Sequence, residues 1–228
     1  MRRIPEHRFD DLIDGTTEVF IERGYHRTQM SDVAEAIGVA KGTLYGYVES
    51  KEALFALCLQ HADRDGPVPR PAVLPVPTPP AGSLEAWAKQ RIADQSVPPP
   101  LAEALEKERA EDPRAEFAAI VRALYVSLET NRHAIKLIDR SIDHPRLGAI
   151  WQTAGRETGR ATLRRYLASR IAAGQLRAVP NLQLAARMIV EVLATWGVHI
   201  HWDRAPEDFD PDEARENAID FLVRGFLP

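Results

Sequence analysis

The sequence predicts an all-α protein in which a three-helix head with a helix-turn-helix precedes a larger helical domain. Apolar residues recur at the three-and-four spacing of amphipathic helices along most of the chain. The sequence shows neither the alternation typical of strands nor an internal repeat. We expect the head at 1–49 and a helical domain at 50–228, which opens with a connecting helix at 50–65.

Composition excludes several classes of protein. With 228 residues and 45% hydrophobic content, the chain can bury substantial cores. No apolar run approaches the roughly eighteen residues of a membrane span, and the first residues lack the apolar core of a signal peptide. We therefore expect a cytoplasmic protein without membrane contact. The single cysteine, Cys58, lies among apolar residues and is predicted to be a packing residue, with redox sensing as the alternative.

The first helix of the head is predicted from about residue 7 to 23 and ends at Gly24. Its apolar positions are Phe9, Leu12, Ile13, Thr16, Val19 and Phe20. Arg2, Arg3 and Arg8 form a basic arm at its start. However, residues 1–65 hold eight Lys or Arg and twelve Asp or Glu. The net charge of this region therefore does not favour binding to nucleic acid. If the head binds DNA, the local placement of basic residues must outweigh the net negative charge.

A helix-turn-helix is predicted between Thr28 and Lys51. Apolar residues from Met30 to Ile37 have the spacing of a short helix, which Gly38 ends. Leu44 and Val48 lie one turn apart and form the inward face of a second helix, expected to be about eight residues long. Two short helices joined by a glycine turn make this motif.

The second helix should present a polar face away from the core of the head. This face contains Lys41, Gly42, Thr43, Gly46 and Tyr47. It suits a DNA groove, because glycine allows close backbone approach, hydroxyls donate to phosphate oxygens, and a lysine reaches a phosphate or guanine. Tyr45 either does likewise or packs inward. Ser50 is predicted to cap the next helix, whose amides and Lys51 lie beside a potential phosphate position.

These residues resemble the amino-terminal domain of TetR-family transcriptional regulators. The matching features are Phe20 and Gly24 at the end of the first helix, Thr28, the turn from Ala34 to Gly38, Gly42-Thr43-Leu44-Tyr45, and Ser50-Lys51-Glu52. The resemblance implies DNA-contact roles for Thr28, Lys41, Gly42, Thr43, Tyr45, Tyr47 and Lys51.

Three positions depart from the family pattern. Ala40 replaces the usual serine that caps the recognition helix, so one cap is missing. Val48 replaces the usual phenylalanine, and some neighbour must fill the space. Gly46 weakens the helix by about 1 kcal/mol relative to alanine and offers no side chain to the bases.

The resemblance implies that the connecting helix transmits movement from the ligand domain to the head. A proline-rich segment follows this helix. Residues 67–80 hold seven of the seventeen prolines and cannot form a helix or a central strand. We expect an extended, solvated loop, which is an unusual insertion for the family. A docking site for a proline-recognising partner is the alternative.

Beyond this loop the pattern is helical to the end of the chain. Helices are predicted from Ser83, from Leu101 to Ala110, from Pro113, from Ile135 to Ile142, from Pro145 to about Gly174, from Pro180 to Trp202, and from Pro211 to Phe226. This order agrees with the fold that the resemblance implies.

The resemblance implies that the last two helices pair with a second copy as a four-helix bundle, because helix-turn-helix operators are usually read by twofold dimers. The predicted interface consists of Leu182, Ala186, Ile189, Leu193, Trp196, Ile200, Ala218, Phe221, Leu222 and Phe226. Packing within one chain explains part of this set equally well.

The resemblance also implies a pocket for a small-molecule effector in the second domain. Its candidate lining is a set of amphipathic side chains on otherwise apolar faces, each of which also suits an ordinary core. These are Trp87, Tyr125, Trp151, Tyr166, Trp196 and His199. We expect a largely apolar or aromatic effector.

Sequence motifs support neither catalysis nor a cofactor. His199 and Asp203 share a helical face while His201 points away, so no metal site is expected. The paired Glu-x-x-His motifs of di-iron bundles are missing, as are G-x-S-x-G, H-E-x-x-H, P-loop and G-x-G-x-x-G motifs. The carboxylates from Glu103 to Asp112 suit a solvated helix face. We therefore expect that the protein is not an enzyme.

Together these features predict a homodimeric, ligand-responsive DNA-binding regulator that acts as a repressor. It would bind a near-palindromic double-stranded operator and leave it when the effector binds. The alternative is a helical interaction protein, or a regulator that has lost its ligand response or DNA binding, which Ala40, Gly46 and the acidic head favour.

Overall fold

The computed structural model describes residues 8–142, 144, 156–205 and 207–228, and these are almost entirely helices and turns. The helices are α1 (Arg8–Arg23), α2 (Met30–Ala36), α3 (Lys41–Leu44), α4 (Lys51–His61), α5 (Ser83–Gln95), α6 (Pro99–Leu105), α7 (Pro113–Thr130), α8 (Arg132–Arg140), α9 (Arg156–Ala172), α10 (Leu182–Gly197), a short 3-10 helix (His199–Trp202) and α11 (Pro211–Phe226). The all-α prediction is confirmed. In the described ranges, none of the helices has both the length and the apolar character needed to cross a membrane.

Several predicted helices differ from the observed ones. The connecting helix expected at 50–65 ends at His61, and the helix expected from Ile135 to Ile142 is α8. The predicted helix start at Pro145 lies outside the described residues. The recognition helix α3 has one helical turn, Lys41–Leu44, and continues as turns to Tyr47.

The helix expected to reach Ala110 ends at Leu105. Ala110 instead donates to Gln175 Oε1 at 3.0 Å and accepts from Gln175 Nε2 at 2.7 Å. Asp112 has an extended backbone before Pro113 and caps α7 by accepting from Ala115 N at 2.9 Å. The acidic residues after Leu105 are therefore not a helix face. The helix expected to reach Trp202 ends at Gly197, before the 3-10 turn.

The first compact unit contains α1 to α4, the residues up to Ala88, and α8. α4 buries every side chain from Ala53 to Leu59, including Cys58, so it forms the axis of this unit. Asp63 caps α8 by accepting from His133 N at 2.9 Å and Ala134 N at 2.8 Å. At the other end of α8, Arg140 donates to carbonyl oxygens at the end of α1. Both ends of α8 are thus fixed within the unit that contains the helix-turn-helix.

The proline-rich segment 67–80, hereafter the strap, is not the free solvated loop that we expected. Val68 N donates to Asp10 Oδ1 at 2.8 Å. Val76 forms an isolated parallel β-bridge with Val48. The strap therefore lies along the head, because its few free backbone donors and acceptors find partners there.

The second compact unit contains residues 89–132 and the described residues from Arg156 onward. Its core is formed by α6, α7, α9, α10 and α11, with Phe117, Ile120, Tyr166, Ile189 and Leu193 fully buried. A buried ion pair lies inside it, with Arg170 Nε donating to Glu116 Oε1 at 2.7 Å.

Candidate DNA-binding site

The helix-turn-helix is built on α1. Met30, Val33 and Ala34 are the buried residues of α2. A Cβ atom on Gly15 of α1 would lie 2.6 Å from Ile37 Cγ2, so only glycine permits this approach without adjustment. Gly38 has φ +66°, and the following Val39 N donates back to Ala34 O at 2.9 Å. The turn thus has the glycine-dependent geometry that the sequence predicted.

The recognition helix α3 is held by one side and open on the other. Leu44 and Val48 are fully buried. Lys41, Gly42, Thr43 and Gly46 are exposed, as is Tyr45 at 42%. No atom lies within 4 Å of a Cβ built on Gly42. This open polar face has the size and donors that fit a DNA groove.

Four of the seven predicted DNA-contact residues lie on this face: Lys41, Gly42, Thr43 and Tyr45. The other three are placed differently. Tyr47 is 7% exposed and packs edge-on against Phe9 at 5.6 Å, so the prediction that it points away from the core is wrong. Thr28 is 1% exposed, and its hydroxyl donates to Gly24 O at 2.8 Å. DNA contact itself stays a prediction for all seven.

Lys51 is engaged inside the head. Its ammonium group donates to the carbonyl oxygens of Tyr25 at 2.8 Å, His26 at 3.5 Å and Thr28 at 3.0 Å. It also lies over the Tyr25 ring at 4.5 Å, and burial lowers the pKa of Lys51. An ammonium group has three donors, so a phosphate would have to replace one of these carbonyls. Lys51 thereby joins the start of α4 to the loop that precedes α2.

The acidic composition of the head does not mean an acidic recognition face. Arg64 binds the carboxylates of Asp10 at 3.0 Å and Asp14 at 2.8 Å, and this pairing raises the pKa of Arg64. Asp32 accepts from Gln29 N at the start of α2 and pairs with Arg23 at 3.0 Å. These carboxylates are neutralised locally, which the net charge of the sequence could not reveal. Sequence reasoning also missed Arg27, an exposed cation directly before Thr28.

The predicted dimer residues face mainly into their own chain. Six are buried: Ala186, Ile189, Leu193, Ala218, Leu222 and Phe226. Leu182, Trp196 and Ile200 are partly buried, whereas Phe221 is 71% exposed. The six buried residues pack mainly in their own core and leave little surface for a partner, so their place in a dimer interface stays a prediction. The opposite face exposes Leu184 at 54% and Met188 at 58%.

The described members of the predicted effector set lie on several different elements. Tyr125 and Tyr166 are buried in the core of the second unit, and Tyr125 Oη donates to Trp196 O at 3.2 Å. His199 begins the 3-10 helix, Trp87 belongs to the first unit, and Trp151 lies outside the described residues. Across the described ranges, no three His, Cys, Asp or Glu side chains form a metal-binding group.

Comparison with protein families accounts for both parts of the chain. A model described as bacterial regulatory proteins, tetR family, matches residues 12–58. A second model, described as the AefR-like transcriptional repressor C-terminal domain, matches residues 115–227. The chain belongs to the TetR family of transcriptional regulators.

Curated relatives of this TetR-family protein match only part of its length. The fatty acid metabolism regulator protein of Bacillus subtilis (strain 168) is 44% identical over 45 residues, covering 20% of this chain and 23% of that relative. The HTH-type transcriptional repressor DhaR of Mycobacterium sp. (strain GP1) is 43% identical over 88 residues, covering 39% of this chain and 35% of that relative. The aligned parts thus span about a third or less of these relatives.

Solved structures resemble the whole chain of this TetR-family protein. The ketosteroid transcriptional regulator KstR2 of Mycobacterium tuberculosis has a TM-score of 0.58 at 16% identity, covering 99% of this chain and 97% of that chain. The TetR-family regulator SCO3833 of Streptomyces coelicolor A3 has a TM-score of 0.54 at 20% identity, covering 98% of this chain and 90% of that chain. At these identities the likeness shows the shared fold.

Proposed function

We propose that this TetR-family protein is a DNA-binding repressor that acts as a homodimer and leaves its operator when a small, mostly apolar molecule binds. The observation that carries this proposal is the open polar face of α3, where Lys41, Gly42, Thr43 and Tyr45 lie opposite the buried Leu44. A helix held in this way can enter a major groove with its donors facing phosphates and base edges. The match to a repressor-type C-terminal domain favours repression over activation.

DNA binding is tested with DNA upstream of the gene itself. Footprinting locates the operator, and fluorescence anisotropy then measures affinity against salt concentration. Lys41→Ala should weaken binding about tenfold and reduce the salt slope by about two, because each dimer loses two cations. Lys89→Ala is the matched control, since Lys89 is an exposed cation on α5. Equal affinity and slope for wild type and Lys41→Ala would show that this face does not bind DNA.

The homodimer is proposed to form through α10 and α11. Their outer faces expose Leu184, Met188 and Phe221 at 54%, 58% and 71%. Phe221 borders a hollow between these helices that Trp196 and Phe209 also line. Large adjoining apolar surfaces of this kind mark interfaces, and the twofold symmetry of operators selects a second copy as the occupant.

The dimer test replaces this surface with charge. Met188→Asp combined with Phe221→Asp should give a monomer by light scattering at micromolar concentration. Val126→Asp is the control, because Val126 is 45% exposed but lies on α7. A double variant that remains dimeric would place the interface on another surface.

The effector is proposed to be small and mostly apolar. The second unit is rich in buried apolar and aromatic side chains, among them Phe117, Tyr125 and Tyr166, which suits such a ligand. The name of the Bacillus subtilis relative gives a reason to begin with fatty acids. An effector should raise the melting temperature of the protein and release the operator. Release by polar metabolites alone would refute the apolar class.

Effector binding is proposed to reach the head through α8 as well as α4. α8 begins two residues after α7 ends, and Asp63 and Arg140 fix its two ends to α4 and α1. Asp63→Asn replaces one acceptor oxygen by a donor and should weaken this link. We expect weaker effector-induced release with little change in operator affinity of the unliganded protein. Unchanged release would remove α8 from the pathway.

A further inference from the structure

The strap binds to the residues that connect α3 with α4. Val76 N donates to Tyr47 O at 2.8 Å, and Glu49 N donates to Val76 O at 3.0 Å. Thr78 N donates to Glu49 Oε2 at 2.9 Å. Thr78 Oγ1 donates to Ser50 Oγ at 2.8 Å. Four hydrogen bonds thus hold the short connection Tyr47–Ser50, which begins three residues after α3 ends.

The other end of the strap is fixed to α1. Val68 is 8% exposed, and its N–H donates to Asp10 in the first turn of α1. Phe9, beside Asp10, packs on Tyr47. The first turn of α1 is therefore connected to the residues that follow α3 in two ways: directly by the contact between Phe9 and Tyr47, and indirectly through the strap.

The recognition helix has little stability of its own. α3 has one turn, its N-terminal residue Ala40 supplies no side-chain cap, and Gly46 follows it. Without the strap, the carbonyl of Tyr47 and the amide of Glu49 would lose these backbone partners. Val76 also pairs with Val48. Val48 is the position where valine replaces the usual phenylalanine and where we expected a neighbour to fill the space.

We propose that the strap is a brace that fixes the orientation of α3 for DNA recognition, an inference that rests on the proposed DNA-binding function. By holding the exit of α3, the strap limits the directions in which Lys41, Thr43 and Tyr45 point. A braced helix loses less conformational freedom when it binds, so operator affinity rises without any strap contact to DNA. Val76 and Thr78 are the positioning residues.

The test compares two valine-to-proline variants in the same segment. Val76→Pro removes the N–H that donates to Tyr47 O. Val73→Pro is the matched control, because Val73 is 65% exposed. We expect Val76→Pro to weaken operator binding about tenfold and Val73→Pro to change it less than about twofold. Thr78→Val, which removes one hydroxyl at nearly constant shape, should weaken binding about threefold.

Two further measurements separate a brace from a direct contact. The salt slope of operator binding should stay at the wild-type value in Val76→Pro, because no phosphate contact is lost. Hydrogen exchange at the amide of Glu49 should become about tenfold faster in the free protein. Arg70 is an exposed cation on the strap. A salt slope that falls in Val76→Pro or in Arg70→Ala would make the strap a phosphate-binding element and overturn the brace.

Failure of this inference differs from failure of the proposed function. If wild type binds the operator and Val76→Pro binds it equally well, the brace is refuted while the regulator remains. If wild type binds no DNA, the proposed function fails. In that case, hydrogen exchange at the Glu49 amide, compared between wild type and Val76→Pro, still tests whether the strap holds the residues that follow α3. Equal exchange rates in the two proteins would refute the brace.

Discussion

Replacing Arg170 with methionine should destabilise the protein far more than the same replacement at Arg122. Arg170 is fully buried, and its guanidinium donates to both carboxylate oxygens of Glu116 at 2.7 and 3.2 Å. It also donates to Ala104 O at 2.6 Å, in the last turn of α6, and to Lys107 O at 3.1 Å, just after that helix ends. Arg122 also binds both carboxylate oxygens of its partner, Glu216, but these side chains are 47% and 50% exposed.

The magnitude follows from what each replacement leaves behind. Removing one partner of a buried ion pair costs about 3–5 kcal/mol, because the remaining charge is buried without compensation. Glu116 is 16% exposed, so water reaches it in part, and we expect a loss of about 3 kcal/mol for Arg170→Met. Methionine retains an apolar chain of similar reach, which limits the loss of packing. Water and salt already screen the exposed Arg122 pair, so Arg122→Met should have little effect.

Urea denaturation at one fixed protein concentration measures both variants. The double replacement Arg170→Met with Glu116→Leu should recover part of the loss, since no charge then remains unpaired. Equal destabilisation by Arg170→Met and Arg122→Met would refute the argument from burial. A double variant that is less stable than Arg170→Met would show that packing, not charge, dominates this position.

Three further predictions concern the first compact unit. Gly24→Ala should lower the free energy of unfolding by more than about 2 kcal/mol, because φ is +78° and the new Cβ would lie 2.7 Å from Arg140 O. Gly66 has φ +91° but no atom within 4 Å of a Cβ, so Gly66→Ala should lower it only by the backbone strain of about 1 kcal/mol. Urea denaturation measures both, and equal losses would contradict the steric part. Asp63→Ala should lower the free energy of unfolding by about 2 kcal/mol, because it removes the cap of α8 at a site where the Asp63 side chain is only 3% exposed. A loss near zero would show that solvent replaces the cap. Burial raises the pKa of Cys58 to about 12, so iodoacetamide should label this thiol at pH 8 only after urea unfolds the protein. Rapid labelling of the native protein would restore the redox-sensing alternative.

Local chemistry made the helix-turn-helix predictable from sequence. Gly38 adopts the positive φ that the turn requires, and Leu44 and Val48 are both fully buried as their spacing indicated. Pro211 begins α11 as predicted, with the carboxylate of Asp210 accepting from the first amides. These features depend on neighbours within a few residues, which a sequence displays directly.

The proposed dimer surface shows why the spacing of apolar residues is not enough to predict which of them are exposed. α10 carries apolar residues on most of its circumference, so the sequence could not say which of them face the core. The fold decides this, because α7, α9 and α11 bury Ile189 and Leu193 and leave Leu184 and Met188 outside.

The sequence by itself determined the helical class, the family and most of the open face of α3, although it placed the buried Tyr47 on that face. Tertiary structure alone decided the roles of Lys51, Thr28 and the strap. Lys51 and Thr28 have the side chains of DNA-contact residues, yet both donate to backbone carbonyls of the head. The strap lacks any helical or strand pattern, yet it completes the hydrogen bonding of residues about thirty positions earlier. The physical reason is that unpaired polar groups must be satisfied by whatever the fold brings near them, and those partners are distant in sequence.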